Sequence, residues 1–90
     1  VREPYETLLG QYRDHPLLGP YLEGYDPDFA ALAASDVPLM ISSGELLMLH
    51  VALAFHNGDR TARIADIGKL DYENRERVAD AIYMHMQAVR

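Results

Sequence analysis

Residues 41–59 read ISSGELLMLHVALAFHNGD, and the fold turns on how this stretch is taken. Ser42 and Glu45 stand at the S-x-x-E spacing of a capping box, in which each side chain accepts the other residue's backbone N–H at a helix start. Asn57-Gly58 supplies the stop, because glycine turns left-handed at no steric cost. Between them run Leu46, Leu47, Met48, Leu49, Val51, Ala52, Leu53, Ala54 and Phe55, interrupted by His50. At 3.6 residues per turn these positions cover nearly the whole circumference, and a helix that is apolar all round is buried on most sides. The spacing therefore predicts a helix over 43–57 that forms the hub of the fold. The run falls short of the roughly 18–20 apolar residues needed to span a bilayer.

The remaining segments read as shorter helices around that hub. Pro4 suits a first helical position, and Tyr5, Leu8, Leu9 and Tyr12 make one apolar stripe of a helix over 4–14, closed by His15-Pro16. Proline and glycine cluster between residues 16 and 27, which marks the early turn of the backbone and leaves room for a short helical turn in 17–25. Asp26-Pro27 predicts an N-cap and first position for a helix over 27–34, stopped by Ser35-Asp36-Val37-Pro38. A helix over 61–68 is expected to turn Ile64, Ala65 and Ile67 inward and Arg60, Arg63 and Asp66 outward. Asp71 caps a last helix over 72–89, whose core seam is read as Val78, Ile82, Met86 and Val89, with Ala79 and Tyr83 beside it. No segment alternates with period two. The fold class is all-α: one small domain over 1–90, or a piece of a longer chain, with five or six short helices packed around the central one.

Composition narrows the function classes. The chain has 90 residues, 49% of them apolar, and no cysteine, which excludes a disulfide scaffold, a thiolate zinc site and a cysteine nucleophile and favours a cytoplasmic setting. The net charge of −6 is uneven: residues 1–38 hold two basic and seven acidic side chains, the remainder six and seven. An acidic front half repels phosphate backbones and suits a basic partner surface.

The chemistry-bearing patterns have structural explanations. Ile41 to Glu45 resembles the signature loop of ABC-type ATPases, but no G-x-x-x-x-G-K-[ST] loop accompanies it, and the capping box accounts for the same letters. His50 and His56 lie six residues apart, about 120° around a helix and not at metal-pair spacing. A metal site or an enzyme centre would need His15, His50, His56 or His85 to converge with carboxylates from other helices. The carboxylate pairs Asp26/Asp28, Asp71/Glu73 and Glu73/Glu76 sit at expected helix starts, where the dipole favours them. No G-x-S-x-G elbow is present. No catalytic residue, metal or cofactor is assigned.

Two readings of function remain. The first is a non-catalytic regulatory or protein-binding module, with another protein or a second copy as partner. Its surface would be the acidic, tyrosine-rich front, Tyr5, Tyr12, Tyr21, Tyr25 and Glu23, with Asp28 on the rim. In the second, segments 61–68 and 72–89 resemble a helix-turn-helix. That resemblance implies a DNA-reading face of Tyr72, Asn74, Arg75 and Arg77, with Arg60, Arg63 and Lys69 toward phosphate. Charge opposes it: residues 71–90 carry four acidic and three basic side chains, where a DNA reader carries a basic footprint.

Overall fold

The computed structural model describes residues 4–22, 28–58 and 61–88. They form α1 (Pro4–Leu9), α2 (Phe29–Ala34), α3 (Val37–Met40), α4 (Ser43–Asn57), α5 (Ile64–Ile67) and α6 (Tyr72–Ala88), with single 3-10 turns at Gly10–Tyr12 and Gly19–Tyr21. No strand occurs among the described residues, and the domain is all-α.

The central helix has the expected limits. The Ser42 hydroxyl accepts the Glu45 N–H at 3.2 Å, and the Glu45 carboxylate accepts the Ser42 N–H at 2.8 Å. Gly58 closes the helix at φ 77°, its N–H donating to the Ala54 carbonyl. Met48, Leu49, Val51, Ala52 and Leu53 are buried, while Leu46, Leu47 and Phe55 lie half-buried against the core.

α1 is shorter than expected and more central. Its α-helical hydrogen bonding ends at Leu9, and Gly10, a poor helix former, opens a tighter 3-10 turn. Leu8 and Leu9 are both fully buried. Adjacent helical residues point about 100° apart, so burying both requires neighbours on two sides. α4 and α6 supply them, and those two helices touch each other far less than each touches α1. The chain then folds back at His15. Its Nδ1 accepts the N–H groups of Leu17 and Leu18, and its carbonyl accepts that of Gly19. Gly19 packs on the Arg13 carbonyl, leaving no space for a Cβ.

Three expectations need correcting at the level of elements. α2 starts at Phe29, with the Asp28 carboxylate capping the Ala31 N–H at 2.9 Å; Asp26 and Pro27, expected to start it, lie outside the described residues. α2 ends at Ala34 as expected, but the stretch after it, expected only as a stop, goes on to form α3, because Pro38 falls in a first turn where its missing N–H costs nothing. α5 spans a single turn, and Ile64, expected inward, is 89% exposed. Ala65 is also exposed and Ile67 half-buried; Leu70, just after the helix, is the buried anchor of this segment.

The largest correction concerns α6. Asp71 caps it as expected, accepting the Asn74 N–H at 2.9 Å. Of the expected seam Val78 is buried as expected, but it is joined by Ala81, with Asn74, Arg77 and Met84 half-buried, whereas Ala79, Ile82, Tyr83 and Met86 are exposed. Val89 lies outside the described residues. The cause is α1, which presents polar groups that α6 must meet. The Gln11 amide donates to Asn74 Oδ1 at 2.8 Å, and the Thr7 hydroxyl to the Met84 sulfur at 3.4 Å. With Val78 and Ala81 buried and these polar groups paired on the same side, the stripe of Tyr83 and Met86 faces out.

Candidate functional site

The described front tyrosines belong to the core's edge. Tyr12 and Tyr21 are half-buried and pack against the core cluster. Burial, reinforced by the Glu45 carboxylate, pushes the Tyr12 hydroxyl above its usual range; Arg77 and a hydrogen bond with Asn74 oppose the shift. Tyr12 is thus held at the junction of α1, α4 and α6. Asp28 is exposed and engaged in its cap. Glu23 and Tyr25 lie outside the described residues, as does the side chain of Tyr5.

The histidines do not converge. His15 Nε2 lies 2.7 Å from Glu45 Oε2, and its Nδ1 already accepts two backbone N–H groups. A ring nitrogen that accepts must be unprotonated, so the imidazole proton sits on Nε2 and is directed at Glu45. Both nitrogens are used in tying the front turn to the α4 cap. Glu45 is held below the usual carboxylate range, first by the Ser42 backbone N–H and further by the Ser42 hydroxyl and His15, against a smaller opposing effect of burial. His56 rests on the Phe29 ring at 4.7 Å between centroids and His85 on Phe55 at 5.3 Å, while His50 is half-buried in α4. Among the described residues no group of three histidine or carboxylate side chains is placed to hold a metal ion.

The expected DNA-reading residues divide between two sides of α6. Asn74 and Arg77 turn toward α1: Asn74 Oδ1 accepts from Gln11 and, at 3.0 Å, from the Arg77 guanidinium, which also lies 4.0 Å from Glu73. Tyr72 and Arg75 are exposed on the other side. Lys69 pairs with Asp66 at 3.4 Å, Arg63 is exposed, and Arg60 lies outside the described residues. The four side chains do not share one exposed face.

Two surface features are left. A polar groove of about 680 Å³ runs along Glu6, Thr7, Gly10, Gln11, Arg13 and Arg77. Thr7 and Gln11 are already engaged across it with Met84 and Asn74 of α6, and Arg77 with Asn74 within α6. The outer face of α6 differs. Tyr72, Ala79, Tyr83 and Met86 follow one another within an arc of about 60° at 3.6 residues per turn. Tyr72, Tyr83 and Met86 are each about two-thirds exposed, and Ile82, on the flank, is 42% exposed. A shallow hollow of about 340 Å³ lies among Tyr72, Arg75, Glu76 and Ala79. A hydrogen bond to Glu76, with the charge of that carboxylate, pushes the Tyr72 hydroxyl above its usual range. Sequence reading placed Met86 in the core seam with Ala79 and Tyr83 beside it, and gave Tyr72 to the DNA-reading face. The signal against that assignment was that the helix carries two apolar stripes, the other formed by Val78 and Ala81, and a four-turn helix turns only one toward its own domain.

No helix among the described residues is long and apolar enough to cross a membrane. Comparison with protein-family models, curated proteins and solved structures finds no match.

Proposed function

We propose that this chain is a non-catalytic protein-binding domain whose docking surface is the outer face of α6. The observation that carries the reading is the continuous exposure of Tyr72, Ala79, Tyr83 and Met86 along one side of a 17-residue helix. Exposed apolar side chains gathered on one face, rather than scattered, are characteristic of interaction sites, and tyrosine and methionine are enriched in interface centres. The charged side chains Arg75, Glu76 and Asp80 flank the stripe, giving it the polar rim of such a surface. The acidic front is not the surface proposed, since Tyr12 and Tyr21 are engaged with the core.

The test is affinity capture from cell extract with the wild-type domain and with a Tyr83→Glu/Met86→Glu variant of equal helicity and melting temperature. Retention of a stoichiometric protein by the wild type and its loss from the variant is expected. Equal capture by both, or capture by neither from a wild type that also stays monomeric, contradicts the reading.

A further inference from the structure

We infer that His15 is a pH-operated cap, which closes the front turn over the core while its imidazole is neutral and releases that turn when the imidazole is protonated. The turn begins as a helix does. The His15 carbonyl accepts the Gly19 N–H at 2.8 Å, and its Nδ1 accepts the N–H groups of Leu17 at 3.1 Å and Leu18 at 3.2 Å. Pro16 takes the first position, where no N–H is needed. This is the hydrogen bonding of an N-cap, a place that serine, threonine, aspartate or asparagine usually fills. Those side chains remain acceptors at neutral and mildly acidic pH. Histidine ordinarily changes charge between about pH 5 and pH 8.

Protonation puts a hydrogen on Nδ1. An acceptor of two N–H groups then becomes a donor facing both, and two hydrogen bonds are lost together. The charged and titratable groups around the ring do not reverse this. Glu45 faces it from α4, but Oε2 already lies 2.7 Å from Nε2 and receives its proton when the ring is neutral. A second proton therefore adds charge at that contact and no new hydrogen bond. Both side chains are partly open to water, at 20% and 24% exposure, which screens the added attraction. Tyr12 meets the ring edge-on at 6.1 Å between centroids, and its hydroxyl stays neutral; Arg77 and Asp71 of α6 act on that hydroxyl with opposite signs. Arg13 and Asp14, next along the chain, are exposed and of opposite charge.

Release has a local consequence. Beyond His15 the chain carries Leu18 and Leu22, both buried, and the 3-10 turn Gly19–Tyr21 packs on α2. Losing the cap frees both leucines to leave the core. The Ser42–Glu45 box of α4 remains, since neither of its bonds involves His15.

Two substitutions separate the ring nitrogens. Asparagine sets an acceptor oxygen near the position of Nδ1, whereas glutamine reaches toward that of Nε2. Nuclear magnetic resonance of the full chain from about pH 8 to about pH 5 reads both the imidazole nitrogens and the Leu17 and Leu18 amides. Glu45, held below the usual carboxylate range, stays ionised throughout. The wild type is expected to show the Nε2–H form of His15 at the upper end. Its Leu17 and Leu18 amides should lose roughly tenfold or more of their exchange protection, corrected for intrinsic rates, as the ring takes up its proton. His15→Asn should keep that protection across the range, and His15→Gln should lack it at both ends. Protection that persists in the wild type once the ring is charged, that His15→Asn loses equally, or that His15→Gln retains would overturn the inference.

Discussion

The two long helices place their apolar side chains oppositely. α4 is apolar around most of its circumference and buries Met48, Leu49, Val51, Ala52 and Leu53; α6 buries Val78 and Ala81 and leaves Tyr72, Ile82, Tyr83 and Met86 in solvent. The difference originates in α1. Its buried pair Leu8 and Leu9 faces both helices, while its Thr7 and, from the 3-10 turn after it, Gln11 contact α6 through polar groups. A helix satisfied on its inner side by hydrogen bonds needs fewer apolar side chains there, and the rest are free to face outward. Apolar content alone does not separate a helix that builds the core from one that offers a surface.

The strongest way to break this contrast is to put the same charge into both helices. Leu49→Asp buries an unpaired carboxylate at a site 1% exposed and is expected to remove more than the roughly 5 kcal/mol that a small domain has to lose, leaving an unfolded chain by circular dichroism. Met86→Asp, on the exposed stripe, should change stability by no more than about 0.5 kcal/mol in a urea titration. Equal damage by both would mean that α6 is core after all.

A finer test compares two alanines two residues apart on α6. Ala81 is fully buried and Ala79 exposed. Ala81→Leu should overpack the junction with α1 and cost about 1–3 kcal/mol. Ala79→Leu should leave the melting temperature of the monomer nearly unchanged. If Ala79→Leu is the more damaging, the helix is rolled the other way.

The smallest expected effect concerns the start of α4. Because Glu45 is held below the usual carboxylate range by Ser42 and His15, its contribution to stability is complete above the unfolded carboxylate pKa. It is lost as pH falls through the lower, folded value. Denaturation series from neutral to acid pH should therefore show a shallower acid loss in Glu45→Gln than in wild type. Identical slopes would detach the cap from the His15 contact. Ser42→Ala, removing one cap acceptor, should cost about 1 kcal/mol at neutral pH.

The sequence made α4 fully legible because its limits are set locally: capping box, apolar run and αL glycine act within a few residues of one another. The all-α class followed from the same local patterns. The roll of α6 was not legible, since it depends on Gln11 meeting Asn74 across 63 positions of sequence and Thr7 meeting Met84 across 77. Seam prediction takes the most apolar stripe as the inner one, and that rule fails where the facing helix is polar. The contact of His15 with Glu45 was hidden for the same reason, as both residues had adequate local explanations. Tyr12 and Tyr21 offered two equally good readings, core or surface, and only their half-burial separated them.

The central claim, that α6 keeps its apolar face for a protein partner, is tested most directly by sedimentation equilibrium and affinity capture with the wild type and Ala79→Arg. A single chain has a mass of 10.1 kDa. The wild type is predicted either to exceed that mass or to capture a second protein, while Ala79→Arg remains at one chain and captures nothing, with unchanged helicity. A wild type that stays at one chain and captures nothing, or a variant that associates equally well, would contradict it.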